Sequence, residues 1–130
     1  MFNYNNKLIA EKKIISEIKN KKIKLICLAG FMKILSKSFI KNYKGKILNI
    51  HPSLLPKYKG LNTHERAISN NEKYSGCTVH FVNSKLDSGK IILQKKVRII
   101  KGDTAQSLAK KILTQEHKLY PKAIVKIFNP

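Results

Sequence analysis

A short apolar run that contains polar side chains, at residues 47–50, constrains the fold more than any other stretch of this chain. Gly45 precedes the run and Pro52 follows it, which is typical of a short buried strand. Because residues two apart in an extended chain point to the same side, Asn49 and His51 share one face. A buried amide is costly unless it is hydrogen-bonded, so this pair needs either structural partners or a ligand.

Two interpretations of this pair stay open at the level of the sequence. In the first, the loop backbone around Pro52 satisfies both side chains, which then only fix the turn. In the second, the pair binds a ligand, because open α/β sheets bind ligands just beyond the carboxyl ends of their strands. A polar pair at the end of a strand has the right position for this second role.

The composition is that of one globular domain. A chain of 130 residues with 42% hydrophobic side chains can bury a substantial core, so we expect a single domain over residues 1–130. No apolar stretch approaches the ~20 residues that cross a bilayer, and no signal-peptide pattern is present, which predicts a cytoplasmic protein away from membranes. Cys27 and Cys77 lie in apolar contexts outside any Cys-x-x-Cys pair, which favours reduced core thiols.

The net charge of +20 comes from 27 lysines and arginines against 7 acidic residues. A basic chain can bind nucleic acid through phosphate contacts. However, only Arg66 and Arg98 are arginines, the residue that reads bases best, and the lysines are scattered through every segment. We therefore expect a mainly solvated basic surface that attracts anionic substrates, with nucleic-acid binding as a less favoured hypothesis.

Predicted helices and strands alternate along the chain. The predicted helices cover residues 6–20, 36–43 and 63–70, then one begins at residue 103 or 104 and a last one at Pro121; the predicted strands cover residues 23–28, 47–51, 77–82 and 90–100. This order favours an α/β fold, a mostly parallel sheet with flanking helices. His80 falls in the middle of a predicted strand, and we expect a structural role for it.

Asp87 is the third polar residue of interest. In its Leu-Asp-Ser-Gly turn, an aspartate ordinarily bonds its own backbone. Beside His51, however, a carboxylate would stabilise the imidazolium ion. Asn49, His51 and Asp87 together suit acyl transfer to an amine: the amide donates to the carbonyl oxygen, the imidazole stabilises the oxyanion, and imidazole and carboxylate remove protons.

Five segments of the chain resemble phosphoribosylglycinamide formyltransferases. They are residues 28–35 (LAGFMKIL), 48–56 (LNIHPSLLP), 79–82 (VHFV), 86–89 (LDSG) and 114–117 (TQEH). They occur in the family's order and with close spacing over almost the whole chain. The resemblance implies a Rossmann-like formyltransferase fold. It also implies transfer of a formyl group from 10-formyltetrahydrofolate to the amine of glycinamide ribonucleotide, in de novo purine biosynthesis.

Carried over by position, Asn49, His51 and Asp87 match the family's catalytic residues. The resemblance assigns the contacts with folate and substrate to Met32, Lys33, Ile34, Leu35, Asn49, Asn83 and Glu116. Residues 32–35 would hold the pterin, the loop 83–87 would contact folate, and Glu116 would contact the acceptor. The structural alternatives are a core turn for residues 32–35, a solvent-facing Lys33 and a solvated helix face for Glu116. The implied co-substrate is 10-formyltetrahydrofolate, and no metal enters this chemistry.

Relatives that share the fold remain alternatives. Formyltetrahydrofolate hydrolases tend to carry a second histidine where this chain has Pro52. Methionyl-tRNA formyltransferases differ after the proline-rich loop, where residues 60–65 are more similar to the purine enzyme.

The family begins with a strand and a glycine-rich loop that binds the ribonucleotide phosphate. The six glycines of this chain are dispersed, so we expect the first βαβ unit of the fold to be missing. Three hypotheses follow: one half of a split enzyme whose N-terminal piece is a separate chain, an inactive fragment, or a basic binding module on a formyltransferase scaffold.

Overall fold

The computed structural model describes residues 4–30 and 34–129, and within them four helices and four strands. The helices are α1 (Tyr4–Lys21), α2 (Lys37–Asn42), α3 (Thr63–Ser69) and α4 (Ala105–Phe128). The strands are β1 (Leu25–Ala29), β2 (Lys46–His51), β3 (Tyr74–Phe81) and β4 (Ile91–Arg98). The predicted α/β fold with flanking helices is confirmed.

The four strands form one mixed sheet in the order β1-β2-β3-β4. β1 and β2 are parallel, whereas β2 with β3 and β3 with β4 are antiparallel. The expectation of a mostly parallel sheet is therefore wrong for the described strands. The reason lies in the connections: the short segment between β3 and β4 allows only an antiparallel hairpin, and the chain after β2 re-enters the sheet at the end where β2 stops.

Two apolar clusters cover the two faces of the sheet. On one face, α4 packs with Leu108 and Ile112 on Leu48 of β2 and Val79 of β3. On the other face, α1 and α2 pack around Ile47. Because side chains alternate along β2, Asn49 and His51 lie on the same face as Ile47, away from α4.

Local capping signals fix two helix starts. The side chain of Ser36 accepts a hydrogen bond from the backbone of Phe39, which confirms the predicted start of α2. Thr104 forms a capping box with Ser107 at the start of α4. The predicted break at Pro121 is wrong, because α4 continues through this residue. Proline removes one backbone donor, but buried α4 side chains on both sides of it keep the helix packed on the sheet.

The two cysteines differ in environment. Cys77 is fully buried, and burial raises the pKa of its thiol to about 12, with a further contribution from the charge of Glu116. Cys27 is exposed on β1, the edge strand of the described sheet, so the prediction of a core thiol is wrong there. Neither cysteine forms a disulfide in the structure. No helix in the described part of the chain is long and apolar enough to cross a membrane.

Candidate active site

β2 buries both members of the polar pair at its carboxyl end. Asn49 is 6% exposed and His51 is 2% exposed. In the antiparallel register they lie opposite His80 and Thr78 of β3. The Oδ1 atom of Asn49 has no hydrogen-bond partner among the described residues. An unpaired buried amide oxygen is costly, so this side chain has the property expected of a ligand-binding group.

The imidazole of His51 is held between two acceptors. Its Nε2 atom lies 2.8 Å from the carbonyl oxygen of Tyr58, and its Nδ1 atom lies 3.5 Å from Oδ2 of Asp87. A carbonyl oxygen can only accept, so Nε2 must carry a proton and donate it. The carboxylate of Asp87 beside Nδ1 is itself buried, so the ring and the carboxylate form a close polar pair.

The loop that carries Asp87 has an unusual backbone. Asp87 has a φ of 46°, in the left-handed region that aspartate tolerates better than most residues. A Cβ atom on Gly89 would lie 1.5 Å from the carbonyl oxygen of Phe81, so only glycine allows the loop to approach β3 this closely. The backbone amide of Gly60 donates to Oδ2 of Asp87 at 2.9 Å. Gly60 and Asp87 are 27 residues apart in the chain, so a contact between two separate loops brings Asp87 to His51.

His80 also belongs to this cluster, which the sequence did not predict. Its Nδ1 atom lies 2.8 Å from the carbonyl oxygen of Phe81, and its Nε2 atom lies 4.0 Å from Oδ1 of Asp87 without a hydrogen-bond partner. Burial lowers the pKa of this imidazole, which favours a neutral ring whose unprotonated Nε2 faces Asp87. Only the pairing of β3 with β2 places His80 opposite Asn49, and this register is not visible in the sequence.

A cavity of about 20 Å³ lies between these side chains and the neighbouring loops. Its lining residues are Leu28, Ile34, Leu35, Asn49, His80, Val82, Asn83, Lys85, Leu86 and Asp87. This volume is sufficient for about one water molecule or one amine group. The cavity joins the end of β2 to two segments that the sequence resemblance associated with folate.

A model of the formyl transferase family matches residues 2–124. The chain belongs to the formyl transferase family. The phosphoribosylglycinamide formyltransferase of Escherichia coli (strain K12) is 46% identical over 114 residues, which are 88% of this chain and 54% of that protein. The human trifunctional purine biosynthetic protein adenosine-3 is 45% identical over 121 residues, 93% of this chain and 12% of that protein.

The fold agrees with these sequence matches. The crystal structure of phosphoribosylglycinamide formyltransferase from Brucella melitensis superimposes with a TM-score of 0.86 at 48% identity, covering 94% of this chain and 62% of that one. The resemblance predicted from the motifs is thereby confirmed. This formyl transferase chain spans 54% of the length of its Escherichia coli relative, about half.

The other predicted folate contacts of this formyl transferase chain are only partly brought together. Ile34 is 45% exposed and Leu35 is buried in the apolar cluster around Ile47, and both line the cavity. Asn83 also lines the cavity, and its Oδ1 atom accepts from the backbone of Lys85 at 2.9 Å, as in an ordinary turn. The predicted contacts at Met32 and Lys33 lie outside the described residues.

Glu116 is not brought to this site. It lies half-buried on α4, which packs on the opposite face of the sheet from Asn49 and His51. Burial raises the pKa of its carboxyl group. Its charge acts on the buried thiol of Cys77, on the α4 side of β3. The assignment of Glu116 to the acceptor substrate therefore stays a prediction.

No cluster of three or more His, Cys, Asp or Glu side chains in residues 4–30 and 34–129 has the arrangement of a metal site. The expectation of chemistry without a metal stays a prediction as well.

Proposed function

We propose that this chain carries the formyl-donor site and the catalytic residues of a phosphoribosylglycinamide formyltransferase. The reaction moves a formyl group from 10-formyltetrahydrofolate to the amine of glycinamide ribonucleotide in de novo purine biosynthesis. The observation that supports this most is the 3.5 Å approach of His51 Nδ1 to Asp87 Oδ2, beside the unpartnered amide oxygen of Asn49. Family membership supplies the class of reaction for this arrangement.

Asn49 and His51 act in this proposal on the oxygen of the formyl group. When the acceptor amine attacks, the carbonyl oxygen becomes negatively charged, and donors in a buried site stabilise that charge strongly. Asn49 offers the NH2 group of its buried side chain as the donor, and His51 offers a ring on which Asp87 stabilises positive charge. The formyl carbon gains a bond to the acceptor nitrogen and then loses its bond to N10 of the folate.

The transfer also requires that a proton leave the amine and that one reach the folate nitrogen. Oδ1 of Asp87 and Nε2 of His80 are both acceptors, and they lie 4.0 Å apart at the cavity. An amine or a water molecule in this position can donate to both atoms. Asp87 then takes the proton from the amine, shares it with Nδ1 of His51 across their 3.5 Å contact, and releases it to N10 of the folate as the bond between the formyl carbon and N10 breaks.

Folate binding needs more room than the described cavity offers. A pterin ring is much larger than a space of about 20 Å³. We therefore expect the loop at residues 83–87 to separate from Ile34 and Leu35 when the folate binds. Lys85 lines the same cavity, and with the net charge of +20 it favours anionic substrates.

The proposal implies a cytoplasmic protein that acts on small molecules, uses 10-formyltetrahydrofolate as its co-substrate and needs no metal. The test begins with binding. Purified protein is titrated by calorimetry with a folate analogue and, separately, with glycinamide ribonucleotide. We expect the folate analogue to bind, and we expect Asn49→Leu and Asp87→Asn to weaken or abolish that binding. Glu17→Gln is the control, because this carboxylate is exposed on α1 and does not line the cavity.

Turnover is then measured from the formation of tetrahydrofolate, with and without the acceptor. Formyl transfer that appears only after an N-terminal fragment of a relative is added would show that a second chain completes the acceptor site. Hydrolysis of the folate without transfer would assign the chain to the hydrolases. Absence of folate binding, together with salt-dependent binding of nucleic acid, would overturn the proposal in favour of a basic binding module.

A further inference from the structure

The loop after β2 holds both members of the His51–Asp87 pair. Its Tyr58 carbonyl oxygen accepts from Nε2 of His51 at 2.8 Å, and its Gly60 amide donates to Oδ2 of Asp87 at 2.9 Å. These two backbone groups are separated by a single residue, so a displacement of this loop moves the imidazole and the carboxylate together. The position of the loop therefore decides the geometry of the pair.

A buried polar network anchors the beginning of this loop to the sheet. The hydroxyl of Thr78 donates to the carbonyl of Ser53 at 2.7 Å and accepts from the backbone amide of Leu55 at 3.1 Å. Gln94 donates to the same hydroxyl at 3.0 Å and to the carbonyl of Leu55 at 2.9 Å. The network thus binds the loop backbone to β3 and β4.

Ser53 extends this network to the histidine. Its fully buried hydroxyl donates to the carbonyl of Lys57 at 2.6 Å and lies 3.2 Å from the carbonyl of Tyr58. The carbonyl that receives the proton of His51 is therefore fixed from within the loop as well. Thr78 lies directly opposite His51 in the sheet register, so the same strand pair supports the ring and the loop that holds it.

This arrangement decides which nitrogen of His51 can exchange a proton. Nε2 faces a carbonyl oxygen and must keep its proton to donate, since a bare nitrogen there would oppose another acceptor. Nδ1 faces Asp87, so this nitrogen can be protonated or bare. The other titratable groups near the ring are His80 and His64, whose pKa values are lowered first by burial and further by the charge of His51.

We propose that Ser53, Thr78 and Gln94 are positioning residues that keep Nε2 of His51 protonated against Tyr58, so that Nδ1 is the nitrogen that gives and takes the proton. The part that concerns turnover rests on the proposed formyl transfer. The part that concerns the ring does not, because the state of each nitrogen can be measured in the free protein.

The experiment records ¹⁵N chemical shifts of the histidine rings by NMR between pH 5 and pH 9. In the wild type we expect Nε2 of His51 to stay in the range of a protonated nitrogen throughout, and any change with pH to appear at Nδ1. Thr78→Val and Ser53→Ala should shift His51 toward a mixture of both tautomers. Gln94 is the exposed member of the network. Gln94→Leu should therefore shift the tautomers of His51 less than the other two variants do, and it should disturb folding less.

The matched control is Ser75→Ala. Ser75 is equally buried on β3, but its hydroxyl has no partner among the described residues, and it lies three positions from Thr78 and hence on the other face. It should leave the His51 shifts unchanged, and Thr78→Ser should restore those that Thr78→Val altered. Where turnover is measurable, Thr78→Val should lower kcat roughly tenfold with the folate KM within about twofold.

Two results would overturn the inference. The first is a wild-type ring whose Nε2 loses its proton while Nδ1 keeps it. The second is a folded Gln94→Leu or Ser53→Ala variant whose His51 shifts equal those of the wild type. If the His51 shifts are as expected but no folate analogue binds, the proposed function is wrong, whereas the inference about the tautomer of His51 still holds.

Discussion

Replacing Asn49 with leucine distinguishes a ligand-binding from a structural role of the buried amide. Leucine has a similar branched shape but no polar atoms. In the free protein the Oδ1 atom of Asn49 is buried without a partner, which costs about 1–3 kcal/mol. Removing it should stabilise the folded state by about 1 kcal/mol. A water molecule in the adjacent cavity would satisfy part of the amide and bring the change closer to zero.

The assay is urea unfolding together with thermal unfolding, each with and without a folate analogue. For a chain of 130 residues, a gain of about 1 kcal/mol corresponds to a melting temperature higher by about 3–5 °C. At a concentration of 100 times Kd, the analogue should stabilise the wild type by about 2.7 kcal/mol and the variant hardly at all. The order of stability should therefore reverse: the variant is more stable alone, and the wild type is more stable with the ligand.

Thr78→Val is the matched comparison, because Thr78 is buried in the adjacent strand with all its hydrogen bonds made. It should lose about 1–3 kcal/mol, since it leaves the backbone of Ser53 and Leu55 without partners. A similar loss in Asn49→Leu would refute the reasoning. The amide would then be a structural side chain that fixes the turn, the first of the two interpretations that the sequence left open.

Three further predictions concern the same chain. Asp87→Asn removes the charge beside His51 but keeps a residue that tolerates a φ of 46°. Turnover should therefore fall by at least tenfold, while the free energy of unfolding in urea changes little. Unchanged turnover would exclude Asp87 from proton transfer. A disulfide reagent should modify exposed Cys27 quickly and buried Cys77 only on unfolding, because burial raises the pKa of Cys77 to about 12; equal rates would contradict this. The pKa of Asp103 is about 2, below its ordinary value of 3.8, because its carboxylate accepts hydrogen bonds from Lys111, the amide of Ile100 and Ser107. Its contribution to the free energy of unfolding should therefore be complete above pH 4 and decline toward pH 2. Asp103→Asn should reduce that decline.

Local signals in the sequence predicted what local interactions decide. Ser36 begins α2 because its own side chain caps the helix, and the cap needs only residues within one turn. The prediction that a new helix begins at Pro121 was wrong, because the local preference of proline for a helix start is outweighed by packing along the whole of α4. The hydroxyl of Tyr120, the residue before it, bonds the carbonyls of Leu28 and Leu48, 92 and 72 residues away. Such distant contacts leave no pattern in the neighbouring residues.

The candidate site shows the same division. The alternation along β2 predicted that Asn49 and His51 share a face, because a strand fixes that relation within three residues. Turn chemistry gave no indication that Asp87 bonds the amide of Gly60, since this contact depends on how two loops meet. The antiparallel pairing of β3 with β2, which the sequence did not predict, brings His80 opposite Asn49.

The unpaired atoms of the site are the strongest argument that it binds a ligand. Oδ1 of Asn49 and Nε2 of His80 are both buried acceptors without partners, and both border the same small cavity as Asp87. A purely structural cluster would place donors opposite these atoms, because each unpaired group lowers stability. A ligand or water that fills this space must therefore bring donors. An attacking amine carries them, and this requirement connects the geometry of the site to the proposed formyl transfer onto nitrogen.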